Sequence, residues 1–316
     1  MTHRPSWFRD NVVIMSNAAT CGINKDGAEL FRVDQATGQR LSEIDDRLSD
    51  DVGLILEGKV GKGQTFEVPS DLVLNNRVAT PTFFDLSTVE HLETFVKEKL
   101  PGFSLHSVWD LVSSGDLSLQ GGHGSPSADQ RVGDVPYIKV SDLRAGSVNI
   151  NATNLIPRPL AERYWGGETS GLEAYDLISP ARTSKNIGDF CVLMPGQEQI
   201  VLTKEVFVLR AEKRLVDQFY LLWALTLEPV RAQWKRLVLM QTNREDVGDR
   251  VNELLIPVPP DSETGMSASK PFRDYFEALR KAREELSSAL SVRGLPHRLT
   301  LGEVAPTPEG DYDEDE

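Results

Sequence analysis

Cysteine is nearly absent from this sequence: Cys21 and Cys191 are the two copies in 316 residues, and they stand far apart. A pair so separated is no disulfide framework, so covalent cross-links are not expected to hold the fold. Long apolar runs are missing as well. The longest, such as FYLLWALTL at 219–227, fall well short of the ~20 residues that cross a bilayer. The start, MTHRPSWFRDN, lacks the basic-then-apolar build of a secretory signal. The expected setting is a reducing cytoplasm. Histidine is sparse too: His3, His91, His106, His123 and His297 are scattered without ligand spacing, so no metal site is expected. His123, in the Gly- and Ser-rich QGGHGSPS, reads as a solvated turn residue rather than a catalytic one. GKVGKG at 58–63 has no GK followed by Ser or Thr at phosphate-loop spacing and reads as a flexible connection.

What is present is an ordinary globular composition, 40% hydrophobic and 26% charged, in a chain long enough for two domains or one large one with appendages. The formal net charge of −14 argues at first sight against nucleic acid, whose phosphates need basic partners. Its distribution weakens that objection. Residues 301–316 carry seven acidic residues and no basic one, which is half of the excess. An end so rich in proline and acid cannot bury enough apolar surface to offset its ordering entropy, and 296–316 is expected to be an acidic disordered tail.

Along the chain the apolar period changes several times. NVVIMSNAATCGINKDGAELFRV (11–33) reads as a strand, a connection, a turn at NKDG and another strand; a polar, acidic stretch (34–51), VGLILEG and TFEVPSDLVL follow. This part looks like β-rich decoration rather than a complete domain. At 87–100 the period becomes helical, with Val89, Leu92, Phe95, Val96 and Leu100 on one face, Ser87 as candidate cap and Glu90 as its capping-box partner. Short strands and turns fill 103–215, among them GDVPYIKVSDLRAGSVN (133–149), which reads as a regular hairpin. A helical stretch at 216–238 should kink or split at Pro229. After the polar loop MQTNRED (240–246) and the proline-ended ELLIPVPP comes the strongest helix, 270–290. There Phe272, Leu279 and Leu286 repeat every seven positions, with Phe276 and Leu290 alongside, a seam long enough to pack against another helix. The fold class is α+β: a β-rich domain with a helical C-terminal arm and a small β-containing N-terminal region.

The chemistry on offer is that of binding. Between 229 and 244 stand Arg231, Lys235, Arg236 and Arg244 with no acidic residue, interleaved with Trp234 and running into QTNR. Gln, Asn, Thr and Arg carry the donors and acceptors that read base edges, and Lys and Arg neutralise phosphates. Composition alone favours a solvated helix face with a polar loop. The same choice applies to Lys139, Ser141 and Arg144, and to ARTSKN (181–186). Two further classes stay open: an enzyme using the 103–260 region, for which no cluster of titratable groups is evident, and an acidic protein-protein adaptor without DNA contact.

The order of the pieces adds to this. GDVPYIKVSDLRAGSVN, then SPARTSKNIGDFCVLMPG, then VFVLRAEKRLVDQFYLLWAL, then MQTNREDVGDRVNELLIPVPP, then a heptad-like helix resembles the target-recognition domain of type I restriction-modification specificity subunits, over roughly 103–262 and 270–290. The earlier segment, with Gly22, Asn24, Lys25, Gly27, Asp45, Asp46 and Leu48 at corresponding places, resembles the part that follows the catalytic domain in N6-adenine DNA methyltransferases. The chain itself contains no Asn-Pro-Pro-aromatic string, which such an enzyme needs to hold a flipped adenine.

The resemblance implies a methyltransferase-tail-like region at 1–86, a DNA target-recognition domain at 87–262, a partner-docking helix at 263–295 and the tail at 296–316. It implies a non-catalytic subunit of a restriction-modification or related phage-defence complex. Its partners would be double-stranded DNA, an N6-adenine methyltransferase carrying S-adenosylmethionine, and a second copy or a restriction subunit, with no membrane and no cofactor of its own. By chemistry, Arg131, Lys139, Arg144, Arg182, Lys185 and Arg236 are expected on phosphates. Ser141 and Thr183 should lie beside them, and Gln241, Thr242, Asn243 and Arg244 nearer bases. Phe272, Phe276, Leu279, Leu286 and Leu290 are expected to dock the partner.

Overall fold

The computed structural model describes residues 11–24, 26–151, 153–182, 184–212, 217–241 and 244–291, and the chain divides into two compact units, Met1–Ser87 and Thr88–Glu316. In the first, β1 (Val12–Ser16) leads through a hairpin of β2 (Phe31–Val33) and β3 (Arg40–Ile44) to α1 (Arg47–Leu56). Then β4 (Thr65–Pro69) pairs antiparallel with β1, followed by α2 (Ser70–Asn76) and α3 (Pro81–Phe84). The expected turn after Ile23 is present, with Asn24 Oδ1 accepting from the N–H groups of Asp26 and Ala28 at 2.8 and 2.9 Å and Gly27 at φ +81°. The strand before that turn, however, pairs with β4 and not with the strand after it. The acidic stretch is also more regular than its polarity suggests: Asp46 caps α1 by accepting from the Ser49 N–H at 3.0 Å. Buried hydrophobic side chains in this unit are Met15, Val68 and Phe83.

The second unit opens on α4 (Ser87–Lys99), β5 (Ser104–Ser107), α5 (Val108–Ser113) and β6 (Leu117–Gly121). Leu92 and Val96 of α4 are buried, as its period requires. Ser87 is the first residue of the helix rather than the residue before it, and its N–H donates to Asp85 Oδ1 at 3.1 Å. Next come β7 (Val135–Ile138), β8 (Leu143–Arg144), β9 (Ser147–Val148), β10 (Leu155–Ile156) and α6 (Arg158–Trp165). They are followed by β11 (Leu177–Pro180), β12 (Cys191–Val192), β13 (Val201–Leu202) and β14 (Val206–Ala211). The predicted helical stretch is three helices, α7 (Gln218–Thr226), α8 (Glu228–Ala232) and α9 (Trp234–Leu237), with Pro229 in the first turn of α8, where its missing N–H costs nothing. The unit closes with β15 (Leu239–Gln241), β16 (Arg244–Asp246), β17 (Leu255–Val258) and α10 (Ser262–Ser291).

A six-stranded sheet in the order β6-β14-β11-β12-β9-β8 organises this unit. Alternation along its strands feeds two cores: Leu177, Val192, Phe207 and Leu209 face one that includes α4, α7 and α9, while Ile178, Cys191, Val206 and Val208 face one shared with Ile138 and Leu202 of β7 and β13. Segment 133–149 is not one hairpin. Its first strand, β7, joins a separate three-stranded sheet between β10 and β13. Only β8 and β9 pair, across Ala145 and Gly146 at φ +52° and +73°, the left-handed pair that a tight two-residue turn demands.

Gln233 is nearly fully buried and acts as a surrogate strand: Leu255 donates its N–H to Oε1 at 3.0 Å, and Nε2 donates to the Leu255 carbonyl at 2.9 Å. Among the described residues no helix is long and apolar enough to cross a membrane.

Candidate nucleic-acid interface

At the GD steps 133–134 and 188–189 the frame leaves no room for a side chain on the glycine. A Cβ on Gly133 would lie 2.2–2.3 Å from the backbone of Ile156 and Pro157, and one on Gly188, which is at φ +88°, would lie 2.4–2.6 Å from the Trp234 indole. Glycine is therefore a steric requirement at both. Asp189 then receives the Arg231 guanidinium at 2.5 Å, which ties the loop before β12 to α8.

That loop carries ARTSKN, and the fold joins it to the polar hairpin far along the chain. Arg182 bridges antiparallel to Asp246 of β16, the Val247 N–H donates to the Ala181 carbonyl at 3.0 Å, and Arg182 Nε lies 3.7 Å from Asp246 Oδ2. Gln241 and Arg244 pair as the last backbone rung of β15 and β16, with Thr242 and Asn243 between them. Thr183, Thr242 and Asn243 lie outside the described residues, and the side chains of Gln241 and Arg244 are likewise outside the description. Lys185 and Arg182 are exposed.

A second group forms around Tyr137 of β7. The Arg131 guanidinium and the Lys139 ammonium lie 5.6 and 5.7 Å from its ring centroid, and Lys139 Nζ donates to Asn154 Oδ1 at 3.0 Å. The turn at 140–142 is held by Asp142 accepting from the Lys139 N–H at 2.8 Å, which leaves Ser141 exposed. Arg144, also exposed, folds its Nη1 onto the carbonyls of Val140 and Leu143 at 3.2 and 2.7 Å.

Several expectations need correction. Arg236 is not free for a phosphate: its side chain is 14% exposed and its Nη2 meets Glu253 Oε2 at 2.6 Å, so its charge is spent inside the domain. Phe276 is buried against the same chain, its ring 6.2 Å from that of Phe219 in α7, and Phe272 and Leu279 pack on the same core. Of the seam, Leu286 and Leu290 remain on the projecting half of α10, Leu286 exposed and Leu290 half-buried. His123 is no solvated turn residue. Its Nδ1 accepts from the Leu202 N–H and its Nε2 lies against the Ser170 carbonyl, both at 3.0 Å, so the proton sits on Nε2 and the ring braces the glycine loop. Burial holds its pKa below the usual histidine value.

The sequence reading also missed an apolar groove of about 350 Å³ lined by Phe190, Val192, Leu222, Phe272, Tyr275 and others. Its residues come from four distant segments, so no local pattern announces it.

Cys191 is buried and its thiol pushed up to about 11. Among the described residues no group of three His, Cys, Asp or Glu could hold a metal ion.

Known proteins can now be set beside this geometry. No family model matches the chain, and no curated protein matches it by sequence. Solved structures do. It is similar to the S subunit of a type I restriction-modification system from M. genitalium, at 14% identity over 60% of this chain and 42% of that one, with a TM-score of 0.37. It is similar to the HsdS subunit from Thermoanaerobacter tengcongensis at 10% identity, covering 71% of this chain and 55% of that one, with a TM-score of 0.36. The type IIG restriction endonuclease BpuSI matches at 9% identity over 73% of this chain and 34% of its own, with a TM-score of 0.43. The chain thus spans 42% and 55% of the two subunits. These likenesses assign no residue a role.

Proposed function

We propose that this chain is a non-catalytic DNA sequence-recognition subunit of a restriction-modification or related phage-defence complex, directing a separate N6-adenine methyltransferase to its site. The observation that carries the reading is the bridge from Arg182 to Asp246, which unites a basic, hydroxyl-bearing loop with the QTNR hairpin at one end of a stiff sheet. Base-edge discrimination of ~1–3 kcal/mol per bidentate contact survives only when the side chains are held in advance. The glycine contacts and the Asp189 and Gln233 anchors supply that stiffness. Arg131, Lys139, Arg144, Arg182 and Lys185 serve phosphates, with Ser141 and Thr183 beside them; Gln241, Thr242, Asn243 and Arg244 serve bases. The methyltransferase brings S-adenosylmethionine and extrudes the adenine. Leu286 and Leu290 give it an apolar docking strip.

The test is a gel shift with the full chain and its methyltransferase at two salt concentrations. Sequence-selective binding with a steep salt slope is expected, whereas an adaptor shows none. The double variant Lys185→Glu, Arg244→Glu should abolish selectivity with an unchanged circular dichroism spectrum. Unaltered affinity in that variant rejects the site assignment.

A further inference from the structure

Among the described residues β1 is paired along one edge only. Its register with β4 runs from Val12 opposite Pro69 to Ser16 opposite Thr65. Just outside this ladder, Ser70 donates its N–H to the Asn11 carbonyl at 3.0 Å and Asn17 donates to the Gln64 carbonyl at 2.9 Å. Antiparallel hydrogen-bonded pairs alternate with non-bonded ones, so Asn11, Val13, Met15 and Asn17 turn their backbone groups towards β4. Val12, Ile14 and Ser16 turn theirs away. Pro69 fits this parity, since its position on β4 is one whose N–H would point outward.

The two outer edges are treated differently. On β4 the outward positions are Thr65, whose N–H bonds to the Lys62 carbonyl at 3.2 Å, the exposed Glu67, and Pro69, which has no N–H. That edge is closed to further pairing. On β1 the outward positions belong to a stretch, NVVIMSN, with no charge and no proline. Among the described residues β4 is its sole partner strand, and Val12 and Ile14 expose their side chains by 50% and 42%. An uncharged, proline-free edge of this kind is a template for pairing with another strand.

We infer that β1 is added as an edge strand to the sheet of the methyltransferase subunit, an inference that rests on the function proposed above. The occupant follows from area. Two copies pairing β1 with β1 would join five-residue strands and bury far less than the roughly 1,200 Å² of a stable interface. Ile23, Leu30, Val33, Leu41 and Ile44 are exposed in the same unit, and covering them as well calls for a body with a large sheet of its own. Backbone hydrogen bonds give such an addition its affinity, and Val12 and Ile14 its register.

The full chain, alone and copurified with its methyltransferase, is compared by amide hydrogen exchange. In the isolated chain the Val12, Ile14 and Ser16 amides should exchange freely while those of Val13 and Met15 are protected. In the complex the outward three should slow by about tenfold or more. Ile14→Lys, which keeps the N–H but guards the edge, and Ile14→Pro, which deletes an outward N–H without touching the bonds to β4, should each weaken assembly about tenfold. Protection already present in the isolated chain overturns the inference, because residues 1–10 or a second copy would then hold the edge. Free exchange persisting in a complex that selects its DNA sequence overturns it too, and leaves the functional reading standing. Slowed amides in a complex without DNA selectivity sustain strand addition and sink the functional reading instead.

Discussion

The two units solve the problem of stability in opposite ways. In the second, cores on both faces of a sheet, with a smaller one around β7, hold nearly every buried hydrophobic side chain described, from Leu92 to Phe276. In the first, Met15, Val68 and Phe83 are the buried hydrophobics, and β3 is exposed along its whole length. Stability scales with apolar area removed from water, so the second unit has much the larger hydrophobic stabilisation and the first has little. The comparison separates two tasks: a frame must hold shape before it meets its ligand, whereas a connector gains shape by meeting its partner.

The difference can be broken hardest at Gly188. Gly188→Val adds a branched side chain against the Trp234 indole in a left-handed conformation, and should cost upward of about 3 kcal/mol in urea unfolding. If stability holds, the loop is softer than described. Next in size is a pair of truncations: Leu209→Ala, fully buried, should cost ~2–5 kcal/mol, and Leu56→Ala, 83% exposed in α1, should stay within about 0.5 kcal/mol. Equal losses would erase the contrast between the units.

A smaller effect comes from His123. Its folded-state pKa lies below the ordinary value of 6.5, so protonation is penalised in the native state. Its contribution is fully present above pH 6.5 and is lost as pH falls from there towards the depressed folded value. His123→Gln should flatten the fall in melting temperature between about pH 7 and pH 5, and an unchanged profile would place the titrating group elsewhere. Smallest is Gly53→Ala in α1, where an added Cβ meets nothing within 4 Å; it should stabilise the first unit by about 0.5–1 kcal/mol.

Much of the second unit was legible because its signals are local. The period of α4 and the break at Pro229 each depend on a few neighbouring residues, whereas the polar loop read at 240–246 holds strand residues of β15 and β16. What was hidden is long-range. The partner of β7 is set by β10 and β13, not by the adjacent β8 and β9, so a hairpin pattern misled. The start of α10 at Ser262 precedes any apolar period; the N-terminal anchor is Asp261, whose Oδ1 accepts from the Thr264 N–H at 2.7 Å, while Pro271 breaks the visible pattern. Charge was hardest to place. Arg236 reads in sequence as a phosphate contact, yet Glu253 claims it, and that acid lies 17 residues away.

Gly133 and Gly188 carry one more implication. At either position a single added methyl group strikes backbone or indole, whereas Arg182 and Lys185, a few residues upstream of Gly188, are exposed. Rewriting those outward letters leaves the page intact. Under the proposed function, the contacts this surface makes can be exchanged by substituting exposed residues alone, without the chain having to learn to fold again.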